Sequence, residues 1–229
     1  MQEIIRFLSK LKQNNNREWF NENKAAFQGA KEVHEKLVAK IISDISQFDS
    51  DIGLLSPADC VFRIYRDVRF SKNKDPYKTA FGSFYSKGGR KGKYGGYYVH
   101  IEPGASFAGG GIWHPERDVL KSIRYEIFND PQSFINLLEA PDLKKNFSGL
   151  MDDKLQRPPK DFPADFEHID LLKYKSFTVL KSFSDESIAN GDFYPELMTA
   201  FRAMKPFVGF LNHAVDQIWK KRLIAQNDR

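Results

Sequence analysis

Cysteine is almost missing from this chain. Cys60 is the single one among 229 residues, which excludes an intramolecular disulfide and a cysteine-rich zinc site. Beside Val61 and Phe62 it is expected to act as a small buried hydrophobe. No run of 18 apolar residues occurs, so no membrane-spanning helix and no membrane partner are expected. The opening residues Met1 to Arg6 lack the apolar centre of a secretory signal, and a cytoplasmic location is expected. Equally missing are a Walker-type phosphate loop, a Gly-x-Ser-x-Gly elbow and a His-Glu-x-x-His helix. The five histidines, at 34, 100, 114, 168 and 213, show no metal-ligand spacing, so neither a metal nor another cofactor is expected. There is no internal repeat and no low-complexity tract.

What remains is an ordinary folding composition with an unusual charge distribution. Hydrophobic residues make up 41% and aromatics 14%, with 20 Phe, enough to build one sizeable core, and a single domain over residues 1–229 is expected. Between Arg63 and Lys93 ten basic residues face only Asp67 and Asp75, a net charge of +8. The whole chain carries +5, so everything outside this segment sums to −3. One strongly basic segment on a mildly acidic body points to an anionic partner.

Hydrophobic periodicity orders the elements. Ile4, Phe7, Leu8 and Leu11 predict a first helix, ended by Asn14-Asn15-Asn16, with Asn16 a candidate N-cap for the next. Apolar residues at a 3–4 spacing then run from Trp19 to about Phe48, with Gly29 as the expected bend. Strand signals begin at Val61: Phe62, Ile64, Val68 and Phe70 would share one face, and Arg66 would fall on it too. Either a buried carboxylate or a bulge would have to account for Arg66. Ala80 to Tyr85 and Tyr97 to Glu102 read as further strands around a Gly/Lys-rich hairpin. Ala105 to Ala108 returns as another, followed by Gly109-Gly110-Gly111 and a helix opened by His114-Pro115. Tyr174 to Phe183 supplies a last strand, and two helices, 192–204 and 206–224, are expected on either side of Pro206. The fold class is therefore α+β, with a mainly antiparallel sheet over about residues 61–112 and 174–183, packed by N- and C-terminal helices.

Three features could carry chemistry. Arg63, Arg66 and Arg69, with Lys74, Tyr77 and Lys78, could clamp phosphate or carboxylate, with Asp67 orienting the guanidinium groups. His100 alternates onto the same strand face as Glu102 and Tyr98, so His100 and Asp67 are the candidate acid–base groups if there is turnover. The triple glycine before Pro115 could offer bare backbone to an anion, or could serve close packing. Aromatic residues from Tyr65 to Tyr98 interleave with the cations, which extends the expected partners from an anionic small molecule or nucleotide to nucleic acid.

The spacing Arg63-x-x-Arg66-Asp67-x-Arg69-Phe70-x-x-x-Lys74-x-x-Tyr77 resembles the signature of a widespread bacterial domain-of-unknown-function family of about this length. Asn14 to Phe20, Tyr97 to Pro103, and the Gly-rich turn before Trp113 and Pro115 are similar to it as well. The resemblance implies one uncharacterised domain, puts the site on the matched arginines, Asp67, Lys74 and Tyr77, and supplies no activity. Three readings follow: a binding domain for a phosphorylated ligand or nucleotide, an enzyme acting on an anionic substrate, or a structural ion-pair network.

Overall fold

The computed structural model describes residues 1–227, with side chains described through Ile218. It is an α+β fold in which helices precede and follow a four-stranded antiparallel sheet of order β1-β2-β3-β4. The strands are β1 (Phe81–Ser86), β2 (Gly96–Ile101), β3 (Ser106–Ile112) and β4 (Phe177–Phe183). The chain divides into two compact units with interleaved boundaries.

The first unit takes Met1–Gly92, Tyr97–Ala108 and Ser182–Thr199. Helix α1 (Gln2–Gln13) buries Ile4, Phe7, Leu8 and Leu11, a single stripe at helical spacing. Glu3 in its first turn and Lys10 and Lys12 in its last oppose the helix dipole with the right signs. Helix α2 (Arg17–Glu22) starts as expected at Asn16, whose side chain accepts the Trp19 amide at 2.9 Å. The long apolar run divides at Asn23, which turns its side chain back to the Trp19 carbonyl at 2.8 Å, and α3 (Lys24–Ser46) then continues unbroken. Gly29, the expected bend, does not interrupt it. The short helix α4 (Pro57–Cys60) ends in Cys60, fully buried as expected, and burial pushes its thiol up to about 12. Strand β2 sends Tyr97, Val99 and Ile101 into the core, which leaves Tyr98 and His100, with Glu102 just beyond, on the opposite face.

The second unit takes Lys93–Gly96, Gly109–Lys181 and the chain from Ala200 onward. Its helices are α5 (Arg117–Asn129), α6 (Pro131–Glu139), α7 (Pro141–Asn146) and α8 (Ile169–Leu172), and Phe134 on α6 sits edge-on to Phe177 at 5.9 Å and tilted on Phe210 at 5.1 Å. Asp130 caps α6 through the Ser133 amide at 3.0 Å. The first unit holds α9 (Asp185–Asn190) and the start of α10 (Phe193–Asn227), and α10 continues through Pro206, where a break was expected. An interior proline costs a helix about 3 kcal/mol. Here Phe201, Met204, Phe207, Val208 and Leu211 are all buried around it, and that much apolar burial outweighs the loss.

Candidate anion site

The basic signature lies on an arm of the first unit rather than in a strand. The sheet proper begins at Phe81; one isolated antiparallel bridge, Val61 to Ser83, attaches residues 61–79 to it, and a second, Tyr65 to Tyr77, pairs the arm with itself. Three further backbone bonds hold the pairing: Phe62 N–H to the Gly82 carbonyl at 3.0 Å, Lys78 to Ile64 at 2.8 Å, and Arg66 to Pro76 at 2.9 Å. Beyond Arg66 the ladder stops, so strand alternation no longer applies to residues 67–75. That is why Arg66 breaks the apolar pattern without needing a buried carboxylate.

The loop 67–75 is braced by its own side chains. Arg66 donates to the Asp75 carbonyl at 3.1 Å and to Ser71 Oγ at 3.3 Å. Lys74 Nζ donates to the Val68 carbonyl at 3.0 Å. Arg69 presents its fork to Asp67, Nε to Oδ1 at 3.0 Å and a terminal nitrogen to Oδ2 at 2.7 Å. Hydrogen bonds from Arg69, and the more distant charge of Arg63, hold the exposed Asp67 carboxyl below its usual range. Asp67 is thus an orienting counter-ion for Arg69. Among the described residues Arg66 bonds only neutral groups, and the loop holds one ion pair, Arg69 with Asp67. Arg66→Ala should therefore lower stability by about 1–2 kcal/mol, the loss of charged-donor hydrogen bonds, and not by the roughly 3–5 of a broken buried pair. Equilibrium unfolding in denaturant measures the difference.

Tyr77 faces inward. Its ring is buried, stacked on Phe20 at 3.9 Å and 12°, with Tyr65 tilted against it at 5.5 Å. Asn15 secures the same residue through its backbone, donating to the Tyr77 carbonyl at 3.0 Å and accepting its amide at 3.2 Å. This clasp ties the arm to the helical layer. By its local spacing the triple Asn is a helix stop, and nothing in that spacing reveals a partner 62 positions away.

Arg63 and Lys78 are left. Lys78 is half-buried, and its ammonium pKa is lowered by burial first and then by the like charge of Arg63. The Lys78 ammonium lies 5.6 Å from the centre of the Phe62 ring. Among the described residues neither Arg63 nor Lys78 forms a salt bridge. Next in line, Phe62 packs edge-on to Tyr98 at 6.2 Å. Gly82 makes room for that tyrosine, since a Cβ at this position would come within 2.8 Å of its hydroxyl.

From Tyr98 a hydrogen-bonded chain crosses the outer face of β2. The Tyr98 hydroxyl meets His100 Nδ1 at 3.1 Å, and His100 Nε2 meets Glu102 Oε2 at 3.0 Å. Thr79 donates to Glu102 Oε1 at 2.7 Å. Burial raises the Glu102 pKa, but the hydrogen bonds from His100 and Thr79 outweigh it and bring the carboxyl below its usual range. An ionised Glu102 can only accept, so His100 Nε2 is the donor of that bond, and the Tyr98 hydroxyl completes the contacts of the ring at Nδ1. Phe107 stacks under the imidazole at 4.7 Å. His100 is thus held by three neighbours, and the strand-face expectation of a carboxylate beside it is met.

The other basic residues go elsewhere. Arg90 donates to the Ala58 carbonyl, and Lys87 lies 3.9 Å from Asp51. In the second unit Lys93 pairs with Glu116 at 3.0 Å. The triple glycine is not an anion-binding turn: Gly109, Gly110 and Gly111 lie inside β3, each with a neighbouring strand carbonyl close by, and α5 begins only at Arg117. Among the described residues no group of three His, Cys, Asp or Glu side chains converges as metal ligands would.

These elements define an α+β protein with a self-braced basic arm beside an aromatic and histidine-bearing sheet face. The chain belongs to the family described as Conserved hypothetical protein (DUF2461), whose model matches residues 3–210, so arm and sheet face both lie within the match. Comparison with curated proteins and with solved structures gave no match. No helix among the described residues is long and apolar enough to cross a membrane.

Proposed function

We propose that the first unit binds an anionic, phosphorylated small molecule or nucleotide at the base of the arm, with Arg63 and Lys78 as the charged contacts. One observation carries this reading. Lys78 is half-buried, the like charge of Arg63 acts on it, and among the described residues its ammonium forms no salt bridge, with the Phe62 ring centre 5.6 Å away. A partly desolvated, unpaired ammonium is unfavourable in the free protein, and an arriving phosphate would relieve it. Arg66, Arg69, Asp67 and Lys74 shape the arm, and Tyr77 anchors it.

Turnover with His100 or Asp67 as the acid–base group is the weaker reading. Asp67 is held ionised by Arg69, and both nitrogens of His100 are occupied.

A thermal-shift panel of nucleotides and sugar phosphates at low salt tests the proposal. A ligand at 100 times its Kd should stabilise the protein by about 2.7 kcal/mol. Lys78→Met should abolish that shift while the ligand-free variant melts no lower than the parent, because an uncompensated charge has been removed. A panel without any shift, or a Lys78→Met protein that responds like the parent, would overturn it.

A further inference from the structure

We propose that the tip of the arm contacts single-stranded nucleic acid, with Phe70 stacking on a base and the surrounding cations on the phosphates. The proposal rests on the arm being an anion-binding element and names the polymer that would use its outer end.

Phe70 is 97% exposed, and the loop around it is built to keep it there. The Ser71 amide returns to the Val68 carbonyl at 3.3 Å, closing a turn with Arg69 and Phe70 at its apex. Arg66 holds Ser71 and Asp75, Lys74 holds Val68, and Asp67 holds Arg69 by its amide and its guanidinium. Five side chains are thus committed to the shape of a loop whose ring touches none of the core. A lone exposed aromatic needs no explanation. One fixed at the apex of a braced turn is displayed, and its ordering cost is met before any partner arrives.

The charges around it select the partner. Residues 63–78 carry six cations against Asp67 and Asp75, a net +4. The Arg69 guanidinium, fixed by Asp67, lies 5.9 Å from the Phe70 ring centre. Tyr65, at 52% exposure, gives the arm a second accessible ring. Exposed rings beside cations match the way sequence-tolerant proteins hold single strands, because every base offers a π face and every linkage a phosphate. An anionic membrane fits less well, because one phenyl ring is a weak anchor. Duplex DNA keeps its bases stacked away from Phe70.

The test uses the full chain and fluorescence anisotropy with labelled mixed-sequence single strands, DNA and RNA, of about 12 nucleotides. Matching duplexes and phosphatidylserine-containing vesicles serve as competitors. Single strands should bind at low salt and weaken as salt rises, with a log–log slope of about −0.7 per contacted phosphate. Phe70→Ala should weaken binding roughly fivefold or more without changing that slope or the melting temperature. Lys72→Ala should leave stacking intact and flatten the slope by about 0.7. Phe70→Ala binding like the parent, or vesicles bound in preference to single strands, would overturn the proposal. If mononucleotides still shift the melting temperature while no oligonucleotide binds, this inference falls and the small-anion reading stands; if neither binds, both fall.

Discussion

Gly111→Ala should be the most damaging single-methyl change in the second unit, lowering stability by about 3–5 kcal/mol. Gly111 sits inside β3 at φ 113°, a conformation that side chains rarely adopt. A Cβ there would drive into the Phe177 carbonyl on the adjacent strand and stand 3.0 Å from Phe207 Cε1. Neither obstacle is the end of a flexible chain, because a ladder carbonyl cannot step aside without breaking the sheet. Gly104→Ala is the control: its φ of 76° carries the same kind of strain, but nothing lies within 4 Å, so about 1 kcal/mol is expected. Denaturant midpoints at constant m distinguish the two. A Gly111→Ala protein within 1 kcal/mol of the parent would mean that β3 and β4 are not packed this closely.

The same glycines show what local pattern could and could not convey. Three consecutive glycines before a Pro-initiated helix look alike whether they form an anion cradle or a strand under close cover, because the difference lies in what packs over them. Alternation was reliable where a ladder continues: Tyr97, Val99 and Ile101 inward, Tyr98 and His100 outward. It failed past Arg66, where the ladder ends and parity loses its meaning. Capping chemistry is local, so Asn16 was legible; the Asn15 clasp on Tyr77 is not local and was invisible. Pro206 misled for a related reason, since a helix propensity is a single-residue term and the burial that overrides it is collective. For the candidate site, the charge count marks the segment that forms the basic arm. Only coordinates separate Arg66, Arg69 and Lys74, which brace the loop, from Arg63 and Lys78, which do not.

Stability should fall by roughly 3 kcal/mol as pH drops from about 6.5 to 4, because of one buried histidine, His34. His34 lies on α3 at 1% exposure, its ring stacked on Phe81 at 5.0 Å and 19°. Its Nε2 is buried and has no hydrogen-bond partner among the described residues. Burial alone pushes its pKa down to about 4 from 6.5. The sign follows from which state takes up the proton. Between these two values the unfolded chain binds it and the native chain refuses it, so acid favours unfolding across that window. Above pH 6.5 both states hold neutral imidazole and His34 adds no slope. Below about pH 4 both are protonated and its contribution is complete; further loss there belongs to carboxylates such as Glu102, whose lowered pKa is lost at more acidic values. The measurement is the unfolding free energy at pH 7 and pH 5 for the parent and for His34→Phe, which keeps an aromatic ring over Phe81. The parent should lose roughly 2 kcal/mol more than the variant over that interval. Comparing the two slopes cancels the other four histidines, common to both proteins. Equal slopes would show that the imidazole is protonated in place, and that the layer between α3 and β1 admits a charge which its present packing gives no means of solvating.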